Sequence, residues 1–339
     1  MRRGKRKTVG SQVNGKVRTL DLFCGGGGSS WGARAAGAKI VCGVDAWDVA
    51  ASTYEANFGA GVGINLTLEE GCQSSLNGVR DIDLILASPE CRNHTCARGN
   101  RPLDRQSRET ARYVLDFART LEPRWIILEN VVQLRNWDGF EKLVLALERL
   151  GYSVLRQILD ALDFGVPQKR RRLFLVCDRE KAVTGVKGAT RGRRSVRSDV
   201  IMWTEPWGSK PLYAAGRADA TIEKAERAIS ELGRGEPFLV VYYGSDGSGG
   251  WQSIDFPLRT LTTIDRFGLV TWESGTPMLR MLQPPEIQRA MGFDNRYVLP
   301  YGSRRDRVKL LGNAVCPPVM RAVVRSLVKA SKPVARRVA

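Results

Sequence analysis

Four short stretches of this chain hold residue types that can do chemistry. Cys91 lies in residues 85–95 (ILASPECRNHT), just past an apolar run, with Arg92 and Arg98 nearby. Neighbouring cations favour the thiolate, which is the nucleophilic form of cysteine. Glu90 pushes the other way, and an inert free thiol is the plain alternative for any single cysteine. Glu129 and Asn130 follow the apolar run WIIL (125–128). A carboxylic acid there can hold and protonate a heterocycle nitrogen; taken alone, the pair serves equally as a helix N-cap. Gln168 precedes four successive basic residues, Lys169 to Arg172, which suit phosphate contact or form a solvated charge run. The chain has one histidine, His94, so zinc sites needing two are excluded and any imidazole catalysis must use that residue. Its loop setting makes it a polar loop residue rather than a base.

The fourth stretch is residues 21–32, DLFCGGGGSSWG. An apolar strand, a glycine turn and a helix N-terminus bring backbone amides close to a ligand, where a Cβ would block the approach. GGGGSS has the composition of a linker, but a strand and a helical pattern flank it directly. Asp45 ends the next strand, about 20 residues on, where an acid can bind ribose hydroxyls. The loop suits a dinucleotide or S-adenosylmethionine; the absence of GxGxxG counts against the dinucleotide.

These groups need a scaffold, and the hydrophobic pattern supplies one. Strands are expected at 17–23, 39–44, 82–87, 125–128, 152–159 and 172–176, and helices at 49–58, 107–121 and 140–150. Thr110, Val114, Phe117 and Leu121 point inward from the second of these helices. Strands alternating with helices over this length predict an α/β fold, a Rossmann-like, mostly parallel sheet with helices on both faces. The rhythm stops after Cys177. Residues 184–198 are rich in Gly, Ser and Arg, and 238–250 run from FLVVYY into GSDGSGG. Further helices are expected at 284–291 and 316–327. The division expected is a basic disordered arm (1–16), a catalytic domain (17–177), a small separate domain (178–256) and a return segment (257–339).

Composition narrows the function classes. The 339 residues carry 53 Lys+Arg against 35 Asp+Glu, a net charge of +18, which favours a polyanionic partner, nucleic acid first. No apolar stretch is long enough to span a membrane, and the basic start lacks the apolar core of a secretory signal. A cytoplasmic protein whose seven cysteines are mostly free thiols, with no metal and no membrane partner, is expected.

Six motifs, taken in order, resemble the cytosine carbon-5 DNA methyltransferase family: DLFCGGGG, SPEC, ENV, PQKRRR, PLRTLTT (257–263) and GNAVCPPV (312–319). The resemblance covers about 17–177 and 257–330. It implies S-adenosylmethionine as cofactor, duplex DNA as partner, and methylation of a flipped-out cytosine at ring carbon 5 through a covalent adduct of Cys91 with carbon 6. Phe23, Gly25, Gly26, Gly27 and Gly28 match the family's cofactor loop. Asp45 matches its ribose-binding acid, Asn65 the residue at the adenine, and Asn313 and Val315 the terminal motif that completes the pocket. Glu129 matches the acid at cytosine ring nitrogen 3. Gln168, Arg170 and Arg172 match Gln-x-Arg-x-Arg, with Arg170 at the cytosine site. Residues 178–256 match the target-recognition domain, where Arg191, Arg193 and Arg194, with Arg92 from the Cys91 loop, would contact DNA. A cognate restriction endonuclease acting separately fits the same picture. The chain departs from the family's Pro-Pro-Cys-Gln, having Pro89, Glu90, Cys91 and Arg92. An RNA cytosine methyltransferase and a methyltransferase-like DNA binder without catalysis are the rival readings.

Overall fold

A computed structural model describes residues 16–69, 76, 78–89, 105–189, 192–242 and 249–331. The arm expected at 1–16 lies outside the described residues except for Lys16, and so do Cys91, Arg92 and Arg191.

The βα alternation builds a seven-stranded sheet. Its strands are β1 (Arg18–Leu22), β2 (Lys39–Asp45), β3 (Gly63–Asn65), β4 (Leu84–Ala87), β5 (Trp125–Val131), β6 (Ser153–Asp160) and β7 (Arg171–Asp178), in the spatial order β3-β2-β1-β4-β5-β7-β6. The first five strands run parallel, and β7 runs antiparallel to both β5 and β6. The order reverses between β1 and β4, which is where an open α/β sheet leaves a crevice past its strand ends.

The two-residue period of the strands divides the core. Ile85, Ile126, Leu128, Leu173 and Leu175 face α3 (Arg105–Leu121) and α4 (Phe140–Arg149). Leu86, Trp125, Ile127, Phe174 and Val176 face the opposite layer, with α1 (Gly28–Ala35) and α9 (Pro317–Ser331). Between β2 and β3, α2 (Asp48–Phe58) packs on the α1 side, where Tyr54 lies under the glycine loop. Helices therefore cover both faces of the sheet.

A second sheet, all antiparallel, has the order β10-β9-β11-β12-β8. Its members are β8 (Lys210–Pro211), β9 (Phe238–Val241), β10 (Trp251–Ser253), β11 (Phe267–Glu273) and β12 (Thr276–Met281). One face packs on α6 (Asp219–Leu232) through Ala225, Ala228, Phe238 and Val240. The other face, through Leu239, Val241, Phe267 and Leu269, belongs to the same core as α9. The expected boundary at 256/257 thus cuts through this sheet, because β11 and β12 pair with β9 and β8. The small core on the α6 side is shared across that boundary: Leu212, Ala225, Ala228, Phe238 and Val240 cluster with Val270 and Leu279. From β12 the chain returns to the large sheet through α7 (Pro284–Ala290), α8 (Arg304–Asn313) and α9; a short α5 (Val196–Asp199) packs beside α7.

The expected strand at 125–128 is longer, because β7 pairs with β5 as far as Val131↔Arg172. Glu129 and Asn130 therefore belong to β5 itself. The 3-10 turn that follows, Val132–Asn136, has no side-chain cap, which removes the N-cap reading.

Candidate active site

One cleft of about 440 Å³ opens at the reversal of strand order, past the ends of β1, β2, β4 and β5. Its floor is the turn after β1. Phe23 and Gly25 both take left-handed backbone conformations (φ 56° and 53°), which lets the chain turn sharply into α1. A Cβ on Gly25 would meet nothing within 4 Å, so that edge of the loop is open to a ligand. No side chain caps the N-terminus of α1 and its first turn contains no acid, so unpaired backbone N–H groups of that turn suit an anionic ligand group.

The remaining glycines act differently from expectation. Gly26 and Gly27 do not line the cleft. A Cβ on Gly26 would strike Tyr297 Oη at 2.5 Å, and one on Gly27 would strike Phe58 at 2.4 Å. Tyr297 Oη donates to the Gly26 carbonyl at 2.7 Å. These positions are small so that α2 and the return segment can close on the loop. Gly28 does both jobs: it lines the cleft, and its Cα stands against the Val315 carbonyl.

Asp45 ends β2 in the cleft wall. One carboxylate oxygen accepts from Gly25 N at 2.8 Å and the other from Trp47 N at 2.9 Å, so the side chain ties the two turns together. Burial pushes its carboxyl above the usual range, against the pull of these two N–H groups and of Lys309. Asn65 is exposed at the end of β3, donates to the Asp45 carbonyl at 3.4 Å and does not line the cleft; the following residues Leu66, Thr67, Leu68 and Glu69 do. Asn313 and Val315 line it from the return segment, as expected.

At the other end of the cleft stand Glu129, Asn130 and Arg172. Glu129 and Arg172 have the parity of the same sheet face, and the register Glu129↔Phe174, Val131↔Arg172 makes them diagonal neighbours. Arg172 Nε lies 3.3 Å from Glu129 Oε1. Burial raises the Glu129 carboxyl above its ordinary value, and Arg172 and Arg170 only partly offset this. Asn130 points to the other face, where its amide donates to the Pro89 carbonyl at 3.0 Å and its oxygen accepts from Val131 N. Asn130 thus fixes the chain two residues before Cys91.

Two of the residues expected at the substrate hold backbone groups of the return segment. Gln168 is fully buried: its amide donates to the Ala290 carbonyl and its oxygen accepts from Leu261 N. Arg170 lines the inner cleft wall, but its guanidinium is held by the carbonyls of Leu261 (3.0 Å), Gly312 (2.8 Å) and Ala314 (3.2 Å). Both side chains join the return segment to the sheet; Arg172 makes the ion pair with Glu129, and Arg170 adds a smaller pull on the same carboxyl. Arg194 pairs with Asp199 at 3.1 Å, and exposed Arg193 lies 5.2 Å over the Phe256 ring; neither lines the cleft.

Sequence reading missed Trp47, Tyr113, Ser88 and Lys309, which all line the cleft, and placed Thr110 only as an inward helix residue. Lys309 Nζ sits 3.8 Å over the Trp47 ring, linking α8 to the turn after β2. The tryptophan two residues past Asp45 was a usable signal. Lys309 gave none, being one cation among many. Among the described residues no group of three or more His, Cys, Asp or Glu is placed to hold a metal, and no helix is long and apolar enough to cross a membrane.

The described cysteines are poor nucleophiles. Cys24, Cys42, Cys177 and Cys316 are buried free thiols, and burial raises each, Cys42 to about 12 and Cys316 to about 11.

Comparison with known proteins gives a consistent picture. The family model described as C-5 cytosine-specific DNA methylase matches residues 17–202 and 248–329. The chain is similar to the Type II methyltransferase M.HgiDI of Herpetosiphon aurantiacus, 32% identical over 254 residues, covering 72% of this chain and 80% of that protein. It is 28% identical over 335 residues to the Type II methyltransferase M.AplI of Arthrospira platensis, covering 94% and 88%. Among solved structures, the S. pombe Dnmt2 methyltransferase superposes with a TM-score of 0.66 at 18% identity, covering 93% of this chain and 98% of that one, a likeness of fold.

Proposed function

The chain belongs to the C-5 cytosine-specific DNA methylase family and is a DNA cytosine methyltransferase, and we propose that it methylates ring carbon 5 of a cytosine flipped out of a specific duplex sequence, through a covalent bond from Cys91 to carbon 6. The observation that carries this reading is the continuity of the cleft. The open glycine turn and Asp45 stand at one end, and the buried acid Glu129 with Arg172 at the other. A stacked cytosine cannot reach so enclosed an acid, whereas an extruded one can.

S-adenosylmethionine fits the glycine end: Gly25 leaves room for it, the uncapped α1 N-terminus suits its carboxylate, and half-buried Asp45 suits its ribose. When bound it supplies a methyl group on a sulfonium. The protein's own part is to make carbon 5 a nucleophile. Glu129, its proton retained by burial, donates to ring nitrogen 3 while the Cys91 thiolate adds to carbon 6. The electron pair released into the ring makes carbon 5 an enamine carbon able to take the methyl group. Loss of the carbon-5 proton to a base then returns the pair and expels Cys91. Asn130 supports this by holding Pro89, and the high-lying thiols of the described cysteines leave the addition to a residue outside them. A cognate restriction endonuclease acting separately completes the proposed setting, in keeping with relatives called Type II methyltransferases.

The test is nucleoside mass spectrometry of duplex DNA incubated with the cofactor and protein, beside C91A and E129Q. We expect 5-methylcytosine with the unaltered chain, none with C91A, and a rate lower by about 100-fold or more with E129Q. Full activity of C91A would remove the covalent route. Methylation of structured RNA in place of duplex DNA would replace the substrate.

A further inference from the structure

We propose that the edge of the molecule opposite the cleft is a second, sequence-independent contact surface for duplex DNA, built on the outer face of α9; this rests on DNA being the substrate. The packing fixes where that edge lies. Helix α1 leaves the cleft at Gly28 and ends at Ala35, after which Lys39 N donates to the Val17 carbonyl beside the start of β1. Helix α9 runs alongside α1 in the same sense: Gly28 abuts the Val315 carbonyl, and Gly32 abuts the Pro317 carbonyl, Met320 and Arg321 N. At 1.5 Å per residue α9 is about 22 Å long and α1 about 12 Å. The second half of α9 therefore passes the end of α1 and reaches the edge where β1 begins.

The inner face of α9 is core: Val319, Met320, Val323, Val324 and Leu327 are buried. Its outer face carries Arg321, Arg325 and Lys329, all exposed, four residues apart and so in one line. The helix contains no acid, and none of the three makes an ion pair with a described residue. Like charges in one line disfavour a helix. A polyanion offsets that cost, and a row of cations with no base-reading geometry suits a phosphate backbone. The surface would hold flanking or neighbouring duplex while the cleft samples cytosines.

The test measures duplex affinity against NaCl concentration, by fluorescence anisotropy, for the full chain and for R321Q/R325Q/K329Q, none of which lines the cleft. Methyl transfer to the same duplex at saturating DNA is measured alongside. If each cation meets a phosphate, the slope of log affinity on log salt becomes shallower by about 2.7, at 0.9 per contact, with methyl transfer unchanged. R325E alone, the gentler change, should flatten the slope by about 1 or more. Identical slopes for chain and variants, all still methylating DNA, would overturn the surface and leave the function standing. An unaltered chain that neither binds nor methylates duplex DNA would overturn both.

Discussion

Replacing Asp21 by Asn should stabilise the protein above neutral pH and change the slope of its stability with pH. Asp21 is the last residue but one of β1, just before the glycine turn, and is fully buried. One carboxylate oxygen accepts from Ser30 Oγ at 2.7 Å, and Ser30 Oγ in turn lies 2.6 Å from Tyr54 Oη. The other oxygen, Oδ1, has no hydrogen-bond partner. Burial pushes the carboxyl from its ordinary 3.8 to about 7; the Ser30 hydroxyl opposes this, and the Asp45 charge adds to it. Between those two values the folded chain keeps a proton that the unfolded chain releases, so stability falls as pH rises from about 4 to about 7 and is level above. About three pKa units at 1.36 kcal/mol each make the loss about 4 kcal/mol. D21N stays neutral at every pH and its oxygen can still accept from Ser30. Its amide nitrogen, at the Oδ1 position, adds a pH-independent cost of about 1–3 kcal/mol, which shifts the whole curve without altering its slope. The assay is urea unfolding followed by tryptophan fluorescence at pH 5, 6, 7 and 8. The difference between variant and parent should open by roughly 1.4 kcal/mol per pH unit up to pH 7 and then stop. A difference that stays constant from pH 5 to 8 would refute the reasoning, since it would mean that Asp21 is ionised throughout.

Three further substitutions test the site. R170M leaves the carbonyls of Leu261, Gly312 and Ala314 without their donor, and should lower unfolding stability by about 3 kcal/mol or more, with cofactor affinity falling as the return segment loosens; chemical denaturation and calorimetry with S-adenosylhomocysteine measure both. K309M removes the cation over Trp47, and at about 0.5–1 kcal/mol should weaken S-adenosylhomocysteine binding roughly two- to fivefold with kcat unchanged. G28A sets a Cβ 2.4 Å from the Val315 carbonyl, so the return segment must shift; a lower Tm together with weaker cofactor binding is expected, and an unchanged Tm would show that the segment gives way freely.

The elements that sequence patterning located are those with strong local periodicity. β1, β2, β7, α2, α3 and α4 fall within a few residues of expectation, because each buries one face or both and its apolar spacing records that burial. Three helices of the later chain were not seen, the one-turn α5 among them. α6 lies in a stretch read only as lacking βα rhythm. α8 (RRDRVKLLGN) is mostly polar and is set by the Ser303–Asp306 capping box rather than by an apolar stripe. The length of β5 depended on its partner: Val131 is strand because Arg172 pairs with it from more than 40 residues away.

The chemistry divides along the same line. By itself the sequence located the glycine turn, Asp45 and Glu129, because glycines, acids and apolar runs at fixed local spacing leave few other arrangements of a strand, a turn and a helix. The tertiary structure alone decided how PQKRRR is used. As a string it is a basic run fit for phosphate. Folded, Gln168 and Arg170 meet backbone carbonyls of the return segment, 91 to 144 residues on, and only Arg172 reaches Glu129. Buried carbonyls at a helix end must find donors. The nearest strong donors are these side chains, so packing of distant segments, which no local pattern encodes, ties one arginine of the cleft wall to the return segment and leaves the other to pair with Glu129.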